Sequence, residues 1–264
     1  MLRNISPQSS CHESRVHFAA QYAFRHLGIS AALALVAAAI VFGLLYPAPY
    51  RTMLGVGPIF LLVLMVDVVC GPLLTLIVAS PKKLRRERRL DLGLIGIIQL
   101  LALAYGLHSV WVARPAVLAF EADRLVVVKA NEIELADMVK APESLRRLSW
   151  WGVQKVGTRR AANGAELIAS VERGLAGISL AQQPGWWIPW EQTREALRER
   201  AKPMSELLAR RPSDAEVLRS AARATGQPVN ELWYLPLTSS KTLAWIALLD
   251  SEMDLVGYAP VDGF

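Results

Sequence analysis

One acidic residue lies alone inside a long apolar stretch of this 264-residue chain. Asp67 is near the middle of a run from about Pro58 to Ala79 that carries no other charge. A carboxylate at the centre of a membrane-spanning helix costs about 3 kcal/mol, so it is expected to face protein rather than lipid. Two interpretations stay open: a proton or signal relay, or a hydrogen bond that holds helices together. The hydrogen bond is favoured, because no second carboxylate or cationic side chain accompanies Asp67 in this run.

A third apolar run supplies two candidate partners for Asp67. With a rise of about 1.5 Å per residue, counting from the outer surface places Asp67 level with about Leu103 on the third helix. Gln99 and Tyr105 lie within about one turn of that level. Either side chain could satisfy the acid, so we expect a polar site at Asp67, Gln99 and Tyr105.

Catalytic chemistry has little support elsewhere in the chain. From Ala113 onward there is no Cys or His, which excludes a Cys/His zinc site, a Ser-His triad and a Cys nucleophile from this region. The run Ser239-Ser240-Lys241 offers a serine and a lysine, but neighbouring residues on a strand point to opposite faces. We therefore predict no catalytic residues, no metal site and no cofactor.

Three segments are long enough to span a bilayer, which takes about 20 apolar residues. They run from about 27 to 46, 58 to 79 and 92 to 112. A cleaved signal peptide is the alternative for the first segment. Its long polar leader and the lack of an A-x-A site favour a retained helix.

Positive charge is concentrated between the second and third segments and predicts the orientation. Before Ala113 the chain has 10 Lys/Arg and 4 Asp/Glu, which leaves 19 of each in the rest (29 − 10 and 23 − 4). Short cytoplasmic loops are rich in Lys and Arg, so the N-terminus and residues 80–91 are predicted to be cytoplasmic. The loop also suits anionic lipid, and nucleic acid is not an expected partner. Its basic residues are Lys82, Lys83, Arg85, Arg86, Arg88 and Arg89.

Small residues recur on the first segment at four-residue spacing. Ser30, Ala34 and Ala38 form a face that lets another helix approach closely. Two interpretations remain open: packing within the bundle, or docking of a partner helix. We expect a leader over residues 1–26, a transmembrane region over 27–112 and an external domain over 113–264.

The external domain is predicted to be α+β, because strands, then helices, then strands follow one another. Its tryptophans, including Trp150-Trp151 and Trp186-Trp187, suit either a binding surface or core packing, with one of each adjacent pair exposed. The predicted strands are 116–121, 125–129, 149–156, 232–238, 243–249 and 255–258, and the predicted helices begin near Gly164 and span 190–200, 205–210 and 213–224.

Three motifs resemble those of the type IV pilin accessory proteins of the TfpX/TfpZ group. The first is Asp67-Val-Val-Cys-Gly-Pro-Leu-Leu-Thr-Leu-Ile-Val78, and the second is Asp91-Leu-Gly-Leu-Ile-Gly-Ile-Ile-Gln-Leu-Leu-Ala-Leu-Ala-Tyr-Gly106. The third joins Trp245-Ile-Ala-Leu-Leu-Asp250 to Val256-Gly-Tyr-Ala-Pro-Val-Asp-Gly-Phe264. The resemblance covers roughly residues 25–264.

This resemblance implies an inner-membrane accessory factor that acts with a particular major pilin and brings no catalytic residues. Other inner-membrane pilus assembly proteins are further expected partners. Two alternatives remain: a membrane sensor whose external domain signals through Asp67, and an enzyme or small transporter that uses Asp67.

Overall fold

A computed structural model describes residues 7–264 of the chain, with side chains described from Arg15 onward. The predicted leader comprises residues 1–26, and its residues 1–6 lie outside the described part of the chain. The chain divides into two compact units, each treated by itself below. One comprises Met1–Leu44 with Gly55–Trp111, and the other comprises Leu45–Leu54 with Val112–Phe264.

Four helices precede the C-terminal domain. They are α1 (Pro7–Ile40), continued by a π-helical turn (Val41–Leu45), α2 (Tyr50–Met53), α3 (Val56–Val78) and α4 (Arg85–Val112). Within the described residues, three segments are long and apolar enough to cross a membrane: Arg15–Leu45, Val56–Val78 and Arg85–Val112. The prediction of three apolar helices is confirmed, and α1 begins well before the predicted start of its apolar run.

Specific contacts hold the helices of the first unit together. The rings of Phe42 and Phe60 pack edge to face with centroids 5.3 Å apart. His26 Nδ1 and Thr75 Oγ1 share a hydrogen bond of 2.6 Å between α1 and α3. On α4, Gly106 permits close approach to α3, because a Cβ there would lie 2.7 Å from a methyl group of Val63.

A single mixed sheet forms the second unit, as the α+β prediction requires. Its strands are β1 (Pro115–Glu121), β2 (Arg124–Lys129), β3 (Gln154–Thr158), β4 (Trp187–Pro189), β5 (Lys202–Pro203), β6 (Trp233–Ser239), β7 (Trp245–Leu249) and β8 (Leu255–Ala259). They are ordered β4-β3-β1-β2-β6-β7-β8, with β5 paired to β6. The β1–β3 and β2–β6 pairs are parallel, and the other pairs are antiparallel.

Four helices complete the domain: α5 (Gly164–Leu175), α6 (Arg194–Arg200), α7 (Met204–Arg210) and α8 (Ala215–Thr225). Two cores form on the sheet. One includes Val156 and Trp187 with residues of β1, and the other includes Met204 and Leu218 with residues of β6 and β7. Strands β1 and β7 are buried along nearly their whole length, which accounts for their continuous apolar sequences.

The structure corrects two predicted elements. Residues 149–153 are not strand, since β3 begins only at Gln154. The predicted helix 190–200 starts as a 3-10 turn, Trp190–Thr193, directly after Pro189, and becomes α-helical at Arg194. The two shortest strands, β4 and β5, were not predicted, because two or three residues carry no usable alternation.

The segment between the first two apolar helices belongs to the C-terminal unit. Within Leu45–Leu54, the side chains of Tyr46, Tyr50 and Met53 are buried. Tyr50 Oη lies 3.1 Å from Tyr258 Oη on β8, and burial raises the pKa of both phenols. This segment is therefore an integral part of the sheet domain rather than a simple loop.

Candidate functional site

A cavity of about 130 Å³ lies among the three apolar helices of the first unit. Its polar members are Ser30 of α1, Asp67 of α3 and Gln99 of α4, together with His26. Ala34 also lines it. The structure thus brings together two sets of residues that sequence reasoning had placed in separate sites: the small-residue face of α1 and the polar pair Asp67 and Gln99.

Asp67 is buried without a partner for one of its carboxylate oxygens. The residue is only 8% exposed, and Oδ2 accepts no hydrogen bond within the described residues. Gln99 Nε2 donates instead to the main-chain oxygen of Asp67, at 2.7 Å. Gln99 Oε1 is also buried and has no partner in the described part of the chain. The expected neighbour is present, but it leaves the acid unsatisfied.

Tyr105 does not join this site. Its side chain is 75% exposed and does not line the cavity. Gln99 and Tyr105 are six residues apart, so on a helix with about 3.6 residues per turn they point in very different directions. Counting residues places Tyr105 at about the depth of Asp67, but it does not give the direction in which a side chain points from its helix.

Gly71 is a further residue of this site that is absent from the predicted set. A Cβ at position 71 would lie 2.2 Å from Gln99 Nε2 and 2.3 Å from Oε1. Glycine therefore provides the space into which the Gln99 side chain extends. In the sequence, the feature that could have indicated this role is the Gly71-Pro72 pair, one helical turn after Asp67.

The cavity is open at the surface of the helix bundle, where exposed apolar residues line it. Ser30 is buried, and Ala34 and Ala38 are half-buried, so the small-residue face points into the bundle. Ile29, Leu33 and Leu100 line the cavity and remain exposed. A partner that uses the small-residue face would therefore enter laterally, between α1 and α4.

The basic segment before and within α4 is largely available to solvent or lipid headgroups. Lys83 Nζ pairs with Asp91 at 2.7 Å. The guanidinium of Arg88 lies over the rings of Phe18 and Tyr22, at 5.2 and 5.4 Å from their centroids. The other four basic residues of the predicted loop are exposed: Lys82, Arg85, Arg86 and Arg89.

A second exposed apolar surface lies on α5 in the sheet domain. The helix predicted to begin near Gly164 is present and has an apolar face, yet the apolar side chains of that face are 54–86% exposed, whereas a helix of this kind ordinarily buries them. The polar face contacts the domain instead, through ion pairs of Glu166 with Arg159 and of Arg173 with Glu134. The exposed side chains are Leu167, Ile168, Val171 and Leu175.

The Glu166–Arg159 pair attaches the start of α5 to the domain. Arg159 donates to both carboxylate oxygens of Glu166, at 2.8 and 2.9 Å, and its guanidinium lies 4.5 Å from the ring centroid of Trp186. Hydrogen bonds from the Arg159 side chain and from the Ala162 N–H lower the pKa of Glu166 to about 2. The carboxylate therefore stays ionised over the whole neutral and mildly acidic range.

This ion pair should make the stability of the domain depend on pH in a defined window. A carboxyl group with a lowered folded-state pKa stabilises the fold above its ordinary value of 4.5, and this contribution is lost as the pH falls towards about 2. We expect Glu166→Gln to reduce the loss of thermal stability between pH 4.5 and 2. Thermal unfolding of the detergent-solubilised full chain at several pH values, monitored by tryptophan fluorescence, measures this change in stability. Glu172→Gln on the same helix is the control, and an equal effect of both changes would contradict the assignment.

Ile168→Gln should leave the free energy of unfolding within about 0.5 kcal/mol of the wild-type value, because Ile168 is exposed and glutamine favours helices. Leu207→Ala on α7, where the side chain is fully buried, should cost about 2–5 kcal/mol. Chemical denaturation of both variants checks the difference. A large loss for Ile168→Gln would show that the apolar face of α5 is covered in the folded protein.

The prediction that each tryptophan pair has one buried and one exposed member is wrong. Trp186 and Trp187 are both buried, and Trp187 Nε1 donates to the Ala181 carbonyl at 2.9 Å. Trp150 and Trp151 are both exposed. Neither pair lies in a regular strand over both residues, so strand alternation does not apply to them.

Other candidates for chemistry have structural roles. Ser239 Oγ accepts hydrogen bonds from the main-chain N–H groups of Lys241 and Thr242, both at 3.2 Å, and so stabilises a turn. In the part of the chain that the structure describes, no group of three or more His, Cys, Asp or Glu could hold a metal ion.

Comparison with known proteins identifies the family. The sequence model of the fimbrial assembly protein FimB family matches residues 14–55. The fimbrial assembly protein of serogroup I from Dichelobacter nodosus is 31% identical over 253 residues, covering 96% of this chain and 98% of that protein. The serogroup E1 protein of the same organism is 32% identical over 256 residues, with the same coverage.

The protein of serogroups C1 and C2 is 36% identical over 129 residues, which is 49% of this chain and 98% of that protein. No solved structure matches the chain significantly. The two full-length relatives match both the apolar helices and the sheet domain, so the resemblance extends over both units. The chain belongs to the fimbrial assembly protein family, a family of type IV pilus accessory proteins.

Proposed function

We propose that this protein is a non-enzymatic accessory factor of the bacterial inner membrane that binds a specific major type IV pilin and promotes its assembly. Membership of the fimbrial assembly family supports a role in pilus assembly. The observation that carries the binding step is the laterally open cavity formed by α1, α3 and α4. A pilin subunit in the membrane presents one apolar helix with a head outside, and such a helix suits this opening.

The proposed orientation has the N-terminus and residues 80–91 in the cytoplasm and the sheet domain in the periplasm. Two observations support it. The exposed basic residues just before α4 and in its first turns favour the cytoplasmic side, where they would contact anionic lipid. The segment Leu45–Leu54 and the sheet domain form one compact unit, so they lie on the same side, as three crossings require.

Reporter fusions test this orientation directly. Alkaline phosphatase, which is active only in the periplasm, should be active when fused after Phe264 and inactive when fused after Lys83. A cytoplasmic fluorescent reporter should give the opposite pattern. Phosphatase activity at both positions, or only at Lys83, would contradict the proposed topology.

The binding proposal is tested by affinity purification of the tagged full chain from detergent-solubilised membranes of cells that make pili. We expect one major pilin to dominate the co-purified proteins in mass spectrometry. Other inner-membrane pilus assembly proteins are expected in smaller amounts. A purification without pilin, from cells in which pilin is abundant in the membrane, would overturn the proposal.

A membrane sensor is a second candidate, favoured by the unsatisfied buried carboxylate of Asp67. In that function the sheet domain would signal through the helix bundle. A sensor predicts that Asp67→Asn changes the number of pili per cell while pilin recovery stays at the wild-type level. Binding by the cavity predicts that pilin recovery falls.

A further inference from the structure

The cavity contains two hydrogen-bond acceptors that the protein itself leaves unsatisfied. They are Oδ2 of Asp67 and Oε1 of Gln99, and both are buried. The Nε2 group of Gln99 is already used by the main-chain oxygen of Asp67. Among the described lining residues, His26 is the one with a ring, and its Nδ1 shares a hydrogen bond with Thr75. Within the described residues, two buried acceptors are therefore left without a donor.

Such an arrangement is unfavourable unless something completes it. In apolar surroundings an acceptor without a donor loses its hydration and gains no hydrogen bond in return. A carboxylate in a membrane span is tolerated where it meets a partner group. Apart from Ser30, the remaining lining residues are apolar or glycine and donate no side-chain hydrogen bond. None of the described lining residues donates to the two acceptors, so a donor carried by a bound partner would complete the site.

We infer that the cavity receives a group with at least two N–H donors, such as an amine or a carboxamide, carried by an apolar membrane-spanning helix of the bound pilin. One such group can satisfy Asp67 Oδ2 and Gln99 Oε1 together, whereas a hydroxyl supplies a single donor. This inference rests on the proposed function and adds to it the chemical feature by which the partner helix is recognised.

Depth and shape favour a protein helix over a lipid. Asp67 is central in α3, a 23-residue helix, whereas the amines of phospholipids lie in the headgroup layer at the bilayer surface. The side chains of Ser30 and Ala34 on one wall of the cavity are small, so the backbone of a second helix can approach α1 closely there. The exposed lip formed by Ile29, Leu33 and Leu100 gives that helix a lateral way in.

Quantitative co-purification of the major pilin with the full-length protein tests the inference. Asp67→Leu removes the carboxylate and should lower the recovered pilin at least tenfold. Asp67→Asn is nearly isosteric but removes the negative charge and replaces one of the two acceptor oxygens with an N–H₂ donor, so recovery should fall at least fivefold. Ser109→Ala is the control, because the Ser109 hydroxyl donates only to the carbonyl of Tyr105 in its own helix. Immunoblots of the membrane fraction normalise recovery to the amount of each variant.

The outcomes separate this inference from the proposed function. If the wild-type protein recovers pilin and both Asp67 variants recover it equally well, the inference is overturned and pilin binding stands. If the wild type recovers no pilin, the proposed function fails, and the inference fails with it. If a differently tagged second copy is recovered in an Asp67-dependent way while pilin recovery is unchanged, the cavity joins two copies of this chain. That result also overturns the inference.

Discussion

Gly71→Ala is expected to lower the recovery of pilin with this protein at least fivefold, although it adds a single methyl group. The new Cβ would lie 2.2–2.5 Å from three atoms of the Gln99 side chain, which is closer than any real contact. Gln99 would have to leave its hydrogen bond with Asp67 and move into the cavity. The variant would thus fill the proposed binding site from within, while the helix itself gains a better helix former.

Two variants give this prediction its controls. Gly93→Ala places the same methyl group on α4, where no atom lies within 4 Å, and should leave pilin recovery unchanged. In the double variant Gly71→Ala/Gln99→Ala no Gln99 side chain is left to move into the cavity, so pilin recovery should exceed that of Gly71→Ala alone. Normal pilin recovery with Gly71→Ala alone would show that the position of Gln99 is irrelevant to binding.

Ala34→Leu together with Ala38→Leu is expected to reduce pilin recovery at least tenfold. Ala34 lines the cavity, and a leucine there would occupy much of a space of only about 130 Å³. Ala38 is half-buried one turn further along the same face, so a larger side chain would also hold a second helix away from α1. Co-purification from detergent-solubilised membranes measures the effect.

Ala32→Leu and Ala39→Leu are the matched controls for this pair. Both residues are exposed on α1, and the same change in side-chain volume there should leave recovery near the wild-type value. Thermal unfolding in detergent separates a loss of binding from a loss of folding. Unchanged recovery in a stable Ala34→Leu/Ala38→Leu protein would show that pilin does not bind at the small-residue face.

The membrane helices could be predicted because their signal is local. About 20 apolar residues in succession suffice to identify a span, whatever the rest of the chain does. The depth of Asp67 relative to Gln99 followed from counting residues, and the two are indeed neighbours. The rotation of α4 did not follow, because it depends on close approaches such as that of Gly106 to Val63. Tyr105 was therefore assigned to the site, and Gly71 was missed.

In the sheet domain, periodicity predicted the existence of α5 and not the face that it buries. That choice is made by Arg159 and Glu134, which pair with the polar side of the helix. Glu134 is remote from its partner Arg173 in sequence, so no local pattern reveals the contact. The same applies to Tyr50, whose hydrogen bond to Tyr258 incorporates the segment Leu45–Leu54 into a domain that begins far downstream.

Photo-crosslinking in living cells tests the central claim most directly. A photoreactive amino acid at Leu33 or Leu100, on the exposed lip of the cavity, should give an adduct with the major pilin. The same amino acid at Leu35 or Leu101, which are exposed but do not line the cavity, should give little or none. Absence of a pilin adduct at both lip positions, or equal adducts at all four, would contradict binding of the pilin helix in this cavity.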